Sequence, residues 1–473
     1  MSRGRLPVLV VIAGLLVAGG LADRAGRAAT PRAVGLPTGP RAAPASATSS
    51  TWFCTGAQAR LDGPAVGTVV VVNTGRSARR GSVTVIPDKG SPRSVPLRVA
   101  APGRAGVRLA DVVTADNASA LVELDGGQVV AELVTQGPQG DSVTPCASSA
   151  SDSWYFAEGA TTRDANEVLM VFNPFPEDAL ADFSFSTETD RVVPQALAGL
   201  VVKGRGMVAV PVGDHVRRRA AVSTVVTSRV GRLVVARLQL FDGTGDVPRS
   251  GVSLALGASV PRPVWYFPEG YAGNGVTERI QVFNPSAREA RVAIDVLLDQ
   301  GEADPVELTV PAFSRVTFTV NDEPRVPPNV GHAAVVRAEN GVAVVAERTV
   351  EAAAPAPGTG LAVTLGATGP ASRWAFAAGD PDPTVDEWIV VLNPGRKAVT
   401  AAVTALDNGG RVRVPELQRL QVPGRGRLAI HLAEHLPRPV PSVVVEATGP
   451  VVVERDQYRT SGPGRAMAMG TPF

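Results

Sequence analysis

The chain of 473 residues is long enough for about three domains, and with 44% hydrophobic and 19% charged residues it is no charge-driven disordered polymer. Its 49 glycines and 40 prolines are too dispersed for collagen and too many for a helical protein, because both interrupt regular hydrogen bonding; they suit an all-β chain with many turns. Forty-six Lys and Arg against 44 Asp and Glu leave a net charge of +2, too weak a field to gather nucleic acid or anionic lipid, so no nucleic-acid partner is expected.

Residues 1–27 have the pattern of an export signal or signal anchor. Arg3 and Arg5 precede a run without charge from Leu6 to Ala22, and Asp23, Arg24 and Arg27 follow it. The run is 17 residues long, near the lower limit for crossing the hydrocarbon as a helix, and Gly20-Leu21-Ala22 offers a small-x-small cleavage site, so both fates stay open. In either case the remainder is expected outside the cytoplasm, with membrane contact only through this N-terminal segment. Residues 28–51, rich in Ala, Pro and Ser without apolar periodicity, are expected to be a disordered linker.

The rest repeats. Trp52, Trp154, Trp265 and Trp374 open segments spaced by 102, 111 and 109 residues, the later three reading Trp154-Tyr-Phe-Ala-Glu-Gly, Trp265-Tyr-Phe-Pro-Glu-Gly and Trp374-Ala-Phe-Ala-Ala-Gly. Each segment then has an apolar strand ending in Asn: Asn73, Asn173, Asn284 and Asn393. An Asn before a turn bonds its own backbone, which explains the recurrence without a ligand. Later come valine-rich pairs of runs flanking Asp125-Gly-Gly, Asn340-Gly and Gly449-Pro, which read as hairpins. Short alternating strands over about a hundred residues are the mark of a β-sandwich. The expectation is four tandem Ig-like β-sandwich domains, at 52–153, 154–264, 265–373 and 374–473.

The sequence WYFAEG, a Glu thirteen residues after the Trp (Glu167, Glu278, Glu387), an apolar strand closed by Asn-Pro, and a late VAER resemble an uncharacterised repeat of exported bacterial proteins. With the N-terminal segment included, the architecture is similar to the actinobacterial family of unknown function DUF5719, over about residues 52–473. The first copy departs at Cys54 and Gly56, and the fourth at Ala378. The resemblance implies an exported envelope protein and supplies no catalytic residues.

Cys54 and Cys146 fall on the first and last strand landmarks of the first copy, so an oxidising compartment is expected to join them. No paired Cys or clustered His supports a zinc site. The four histidines, His215, His332, His431 and His435, lie in three copies and are not expected to form a triad; the His431/His435 spacing suits a strand and loop better than a metal-binding helix. Asp380-Pro-Asp-Pro lacks the dense acidic series of a calcium site. No nucleophile elbow, P-loop or zincin motif occurs.

Glu347-Arg348 and Glu454-Arg455 are adjacent on strands and should point to opposite faces, with one member buried and needing a partner, Glu278 or Glu387 being the natural candidates. The Trp-Tyr-Phe openings could stack on sugars but also suit a sandwich core. The expectation is therefore a non-catalytic, cofactor-free envelope protein that presents surface as a scaffold or adhesin to an envelope protein or glycan. Glycan binding is the alternative, and a hydrolase with a site between copies a third.

Overall fold

The computed structural model describes residues 39–245, 249–301, 303–379, 384–407, 410–436, 442–460 and 462–473. The export segment at 1–27, the first part of the expected linker and Asp380-Pro-Asp-Pro lie outside the described residues. The described chain is all-β, made of strands and single-turn 3-10 segments, and no helix among the described residues is long and apolar enough to cross a membrane.

Four successive stretches share one strand arrangement. The strand that ends in Asn (Val66–Asn73, Ala165–Asn173, Val276–Asn284, Val385–Asn393) lies antiparallel between two others. On one side is a short strand (Gly103–Arg108, Gly206–Pro211, Ser314–Thr319, Gly426–His431), and on the other a longer one (Val129–Gly137, Val234–Asp242, Val345–Ala352, and the end of Ser442–Arg459). The Trp-bearing strand belongs to another set, paired with Ala115–Asp125, Val222–Val230, His332–Ala338 and the start of Ser442–Arg459. In the second and third copies the two sets are separate sheets. A parallel bridge from Gln58 to Val66 links them in the first copy, and the 18-residue strand Ser442–Arg459 runs through both in the fourth.

The Gly-containing turns therefore do not close hairpins. Ala115–Asp125 pairs with Ser49–Ala59 and Arg79–Pro87, and Val129–Gly137 pairs in the other set, so Gly126 and Gln128, both at positive φ, carry the chain between sheets. Two alternating strands around a tight turn have the same sequence pattern whether they pair with each other or arch across a core. At Gly449-Pro450 there is no turn at all, and the strand continues.

The landmark residues serve packing. The four landmark tryptophans are buried, and the indole N–H groups of Trp154, Trp265 and Trp374 donate to Leu233 O, Val344 O and Val451 O at 2.8–2.9 Å. Each Asn accepts from the backbone N–H two residues on and donates to the carbonyl four residues on: Asn284 to Arg288 O at 2.7 Å, and also to Val310 O at 3.0 Å. That locks a turn to the next strand, satisfying carbonyls that burial would otherwise strand.

The copies share their interiors. Ala375, Ala377, Leu406 and Val444 of the fourth pack in the same apolar cluster as the first and second, while the third and fourth share another. The last strands of the copies (Gly140–Pro145, Ser250–Leu256, Gly360–Leu365, Arg465–Met469) each lie against two of the others, the fourth returning to the first. Side chains stitch them together: Leu254 N–H donates to Ser142 Oγ at 2.9 Å, Val363 N–H to Ser253 Oγ at 3.1 Å, and Thr364 Oγ1 to Met467 O at 3.0 Å. Arg459 and Asp141 join the fourth copy to the first. The four copies form a closed ring.

The end of the expected linker belongs to this body. Ala42 N–H donates to Pro472 O, Gln128 N–H to Ala43 O and Gly126 N–H to Thr48 O, and the first strand begins at Ser49. Composition hid this, because these hydrogen bonds use backbone rather than side chains.

Candidate functional site: a buried ring of ion pairs

Charged chemistry in the described chain concentrates where one copy meets the next. At matched positions the longer strands carry Glu132-Leu133, Ala236-Arg237, Glu347-Arg348 and Glu454-Arg455. Each Arg pairs with the Glu of the following copy: Arg237 with Glu347 at 2.9 Å, Arg348 with Glu454 at 2.5 Å, and Arg455 with Glu132 at 3.1 Å, the last closing the ring. All six side chains are completely buried.

Local structure completes each pair. The carboxylate of Glu347, Glu454 or Glu132 also accepts the backbone N–H of Glu158, Glu269 or Ala378, the residue four after the Trp, at 2.5, 3.0 and 2.7 Å. Each guanidinium lies over the Phe two after that Trp: Arg237 over Phe156, Arg348 over Phe267 and Arg455 over Phe376, with centroid distances of 5.6, 5.7 and 5.1 Å. A second tier lies outside: Arg315 pairs with Glu158 at 2.9 Å, and Arg427 with Glu269 at 2.6 Å and Asp299 at 2.7 Å. In the fourth copy Ala378 replaces that Glu, and Arg104 bonds Gly379 O instead, at 3.3 Å.

The junction of the first and second copies has none of this. Leu133 stands for the Arg and Ala236 for the Glu, Gly56 takes the position of Glu158, and Met207 that of Arg315. A Cβ at Gly56, whose φ is +110°, would come within 2.7 Å of Leu254 Cδ1 and 3.2 Å of Ala236 Cβ, so a larger side chain would strain the backbone and displace Leu254. Both partners of the pair are replaced together, which leaves no buried charge unmatched.

Arg348 and Arg455 take Glu454 and Glu132 as their hydrogen-bonded partners, while Glu278, one of the expected partners, bears on Arg348 through its charge. Glu278 accepts the Tyr271 N–H at 2.8 Å, and its Oε2 lies 3.1 Å from His332 Nε2, an ion-pair distance without hydrogen-bond alignment. Burial opposes charge on Glu278, but His332, Arg348 and the Tyr271 N–H outweigh it and hold the carboxyl below its ordinary range. Glu387 is buried opposite Gln457. The expectation that one member of each Glu-Arg dipeptide is buried is corrected: both are, because one face of the strand meets the preceding copy and the other the following one. The signal lay in the sequence, since Glu and Arg vanish as complementary partners from the first and second copies.

Cys54 and Cys146 form a disulfide with Cα atoms 4.5 Å apart. His431 sits between Asp386 at 2.7 Å and Glu434 at 3.1 Å, its ring stacked on Trp388, while His215 and His435 follow 3-10 turns. Among the described residues no group of three or more His, Cys, Asp or Glu could hold a metal ion. A pocket lined by Ala272, Asn321, Asp322, Glu323 and Pro324 has a volume of about 240 Å³, below the roughly 300–1,000 Å³ usual for ligand sites.

The class so defined is an all-β body of several small sheets carrying a disulfide, with buried ion pairs between its copies. The chain belongs to the family of unknown function DUF5719, which matches residues 110–351. No curated protein matches it. Among solved structures it is similar to that of Thermotoga maritima 1070, with 18% identity over 23% of this chain and 94% of that one and a TM-score of 0.21. A sensory rhodopsin transducer of Anabaena shows 27% identity over 19% of this chain and 88% of that one, with a TM-score of 0.17. A tetra-tandem repeat in the extending region of a large adhesion protein shows 11% identity over 90% and 99%, with a TM-score of 0.11.

Proposed function

We propose that this is an exported, non-catalytic protein of the cell envelope, in which four Ig-like sandwich copies act together as one rigid scaffold or adhesive surface. The observation that carries this reading is the use of the convergent charges: the buried Arg and Glu of the junctions neutralise one another between copies instead of opening into a cleft. Catalytic carboxylates need access to substrate, and these have none. The disulfide suggests an extracytoplasmic location and so supports export. The buried tryptophans weigh against sugar stacking through the Trp-Tyr-Phe segments.

The test takes the chain in its own cells and as purified protein. Protease added to intact cells should reach it, purified residues 39–473 should be retained by envelope proteins, and a broad panel of hydrolase substrates should show no turnover. Retention by purified peptidoglycan alone would replace the scaffold with a glycan-binding role. Turnover, or protection from protease in intact cells with cleavage only after lysis, would overturn the reading.

A further inference from the structure

The junction between the second and third copies contains one carboxyl too many. Glu167 is buried on the strand Ala165–Asn173, and neither of its oxygens has a hydrogen-bond partner. Around it, the strand Val234–Asp242 contributes Arg237 and Gln239, the segment after Trp154 contributes Glu158, and the third copy contributes Glu347 and Arg315. On its other side the strand Gly206–Pro211 brings no titratable group, and Asp214, in the 3-10 turn that follows, is exposed. Three carboxyls face two guanidiniums.

The third copy holds the same position differently. Glu278 matches Glu167, and there Arg348 and Arg427 are joined by a further base, His332, whose Nε2 lies 3.1 Å from Glu278 Oε2. His332 follows Gly270 across a strand start just as Val222 follows Gly159: the N–H of each donates to that glycine's carbonyl, at 2.9 and 2.8 Å. The second copy thus has valine where the third has the base. The backbone N–H that reaches Glu278 from Tyr271 has its counterpart in Ala160 N–H, which goes to Gln239 Oε1 instead, at 3.1 Å. Of the three groups that stabilise a charge on Glu278, Glu167 lacks the counterparts of two, His332 and the Tyr271 N–H, and retains only that of Arg348, which is Arg237.

We propose that Glu167 holds a proton in the native protein, and that this proton keeps the junction between the second and third copies closed. Losing it would place a third negative charge, unmatched, in a dry interior beside Glu158 and Glu347. The least costly relief is entry of water, which separates Glu347 from the Glu158 N–H and from Arg237. Burial, followed by the charges of Glu158 and Glu347, pushes Glu167 from its ordinary 4.5 up to about 8 against the pull of Arg237 and Arg315. Because the folded value is the higher one, the proton stabilises the fold fully below the unfolded value. The contribution then declines as pH rises, by up to about tenfold in the folding equilibrium constant per pH unit, and levels off above the folded value.

The full chain, with Glu167→Gln and Val222→His, tests this. Glu167→Gln imitates the protonated form and should fold. The wild-type-minus-Glu167→Gln infrared difference spectrum at neutral pH should contain the carbonyl band of a buried protonated carboxylic acid, and so should the difference against Val222→His, which supplies the base of the third copy. The ratio of wild-type to Glu167→Gln folding constants from denaturant melts should fall by up to about tenfold per pH unit through mildly acidic and neutral solution and then level off. Exchange protection of the Glu158 amide, corrected for intrinsic rate, should drop in alkaline solution in the wild type and persist in Glu167→Gln. Absence of that band from the difference spectra, parallel pH profiles, or equal Glu158 protection in the two proteins would overturn the proposal.

Discussion

Replacing Arg348 by alanine should destabilise the body by about 3–5 kcal/mol, measured as the shift in denaturant midpoint at constant slope on residues 39–473. The guanidinium is fully buried and is the partner of Glu454, and the charges of Glu278, Glu269 and Asp456 also bear on it. Its removal leaves Glu454 in an interior that cannot hydrate it. Loss of the partner, rather than loss of the pair, causes the penalty, and the molecule contains its own control. At the junction of the first and second copies Leu133 and Ala236 occupy the two positions, both buried and both apolar. The double substitution Arg348→Leu with Glu454→Ala copies that junction and should recover most of the loss, leaving roughly 1–2 kcal/mol for imperfect packing. A single variant as stable as the wild type, or a double variant no better than the single, would contradict this account of the junctions.

Removing the disulfide with Cys54→Ala and Cys146→Ala should produce the other large effect. The cysteines are 92 residues apart, a loop whose closure in the unfolded chain is worth about 4–5 kcal/mol in the chain-entropy model. Both are buried, in the copy whose junction with its successor lacks an ion pair. The loss should appear equally when the wild type is reduced before the melt, which separates the bond from any packing change at the alanines. A reduced protein that melts with the oxidised one would show that the ring restrains the first copy without it.

The sequence and the structure agree where the information is local. The Trp and Asn landmarks were legible because burying an indole and closing a turn each need a particular side chain at a particular place. The cysteines were legible because each falls on a strand landmark of one copy. The valine runs around Asp125-Gly-Gly and Asn340-Gly misled because alternation reports which side chains point inward and not which strand lies alongside. The partner of Arg348 was missed because it stands 106 residues away in another copy, and no spacing within one copy encodes it. Comparing the columns Glu132, Ala236, Glu347, Glu454 and Leu133, Arg237, Arg348, Arg455 exposes the complementarity, since the first copy lacks the base and the second the acid. His332 carried no signal: one histidine among valines gains meaning only beside Glu278.

Ring closure is the claim on which the junction chemistry depends, and small-angle X-ray scattering on residues 39–473 tests it directly. A body closed through Arg455 and Glu132 should have a radius of gyration of about 22 Å, the value for a single compact domain of that length. Four sandwiches joined only in sequence, each of about 13 Å and strung in line, would give roughly 40 Å and would contradict closure.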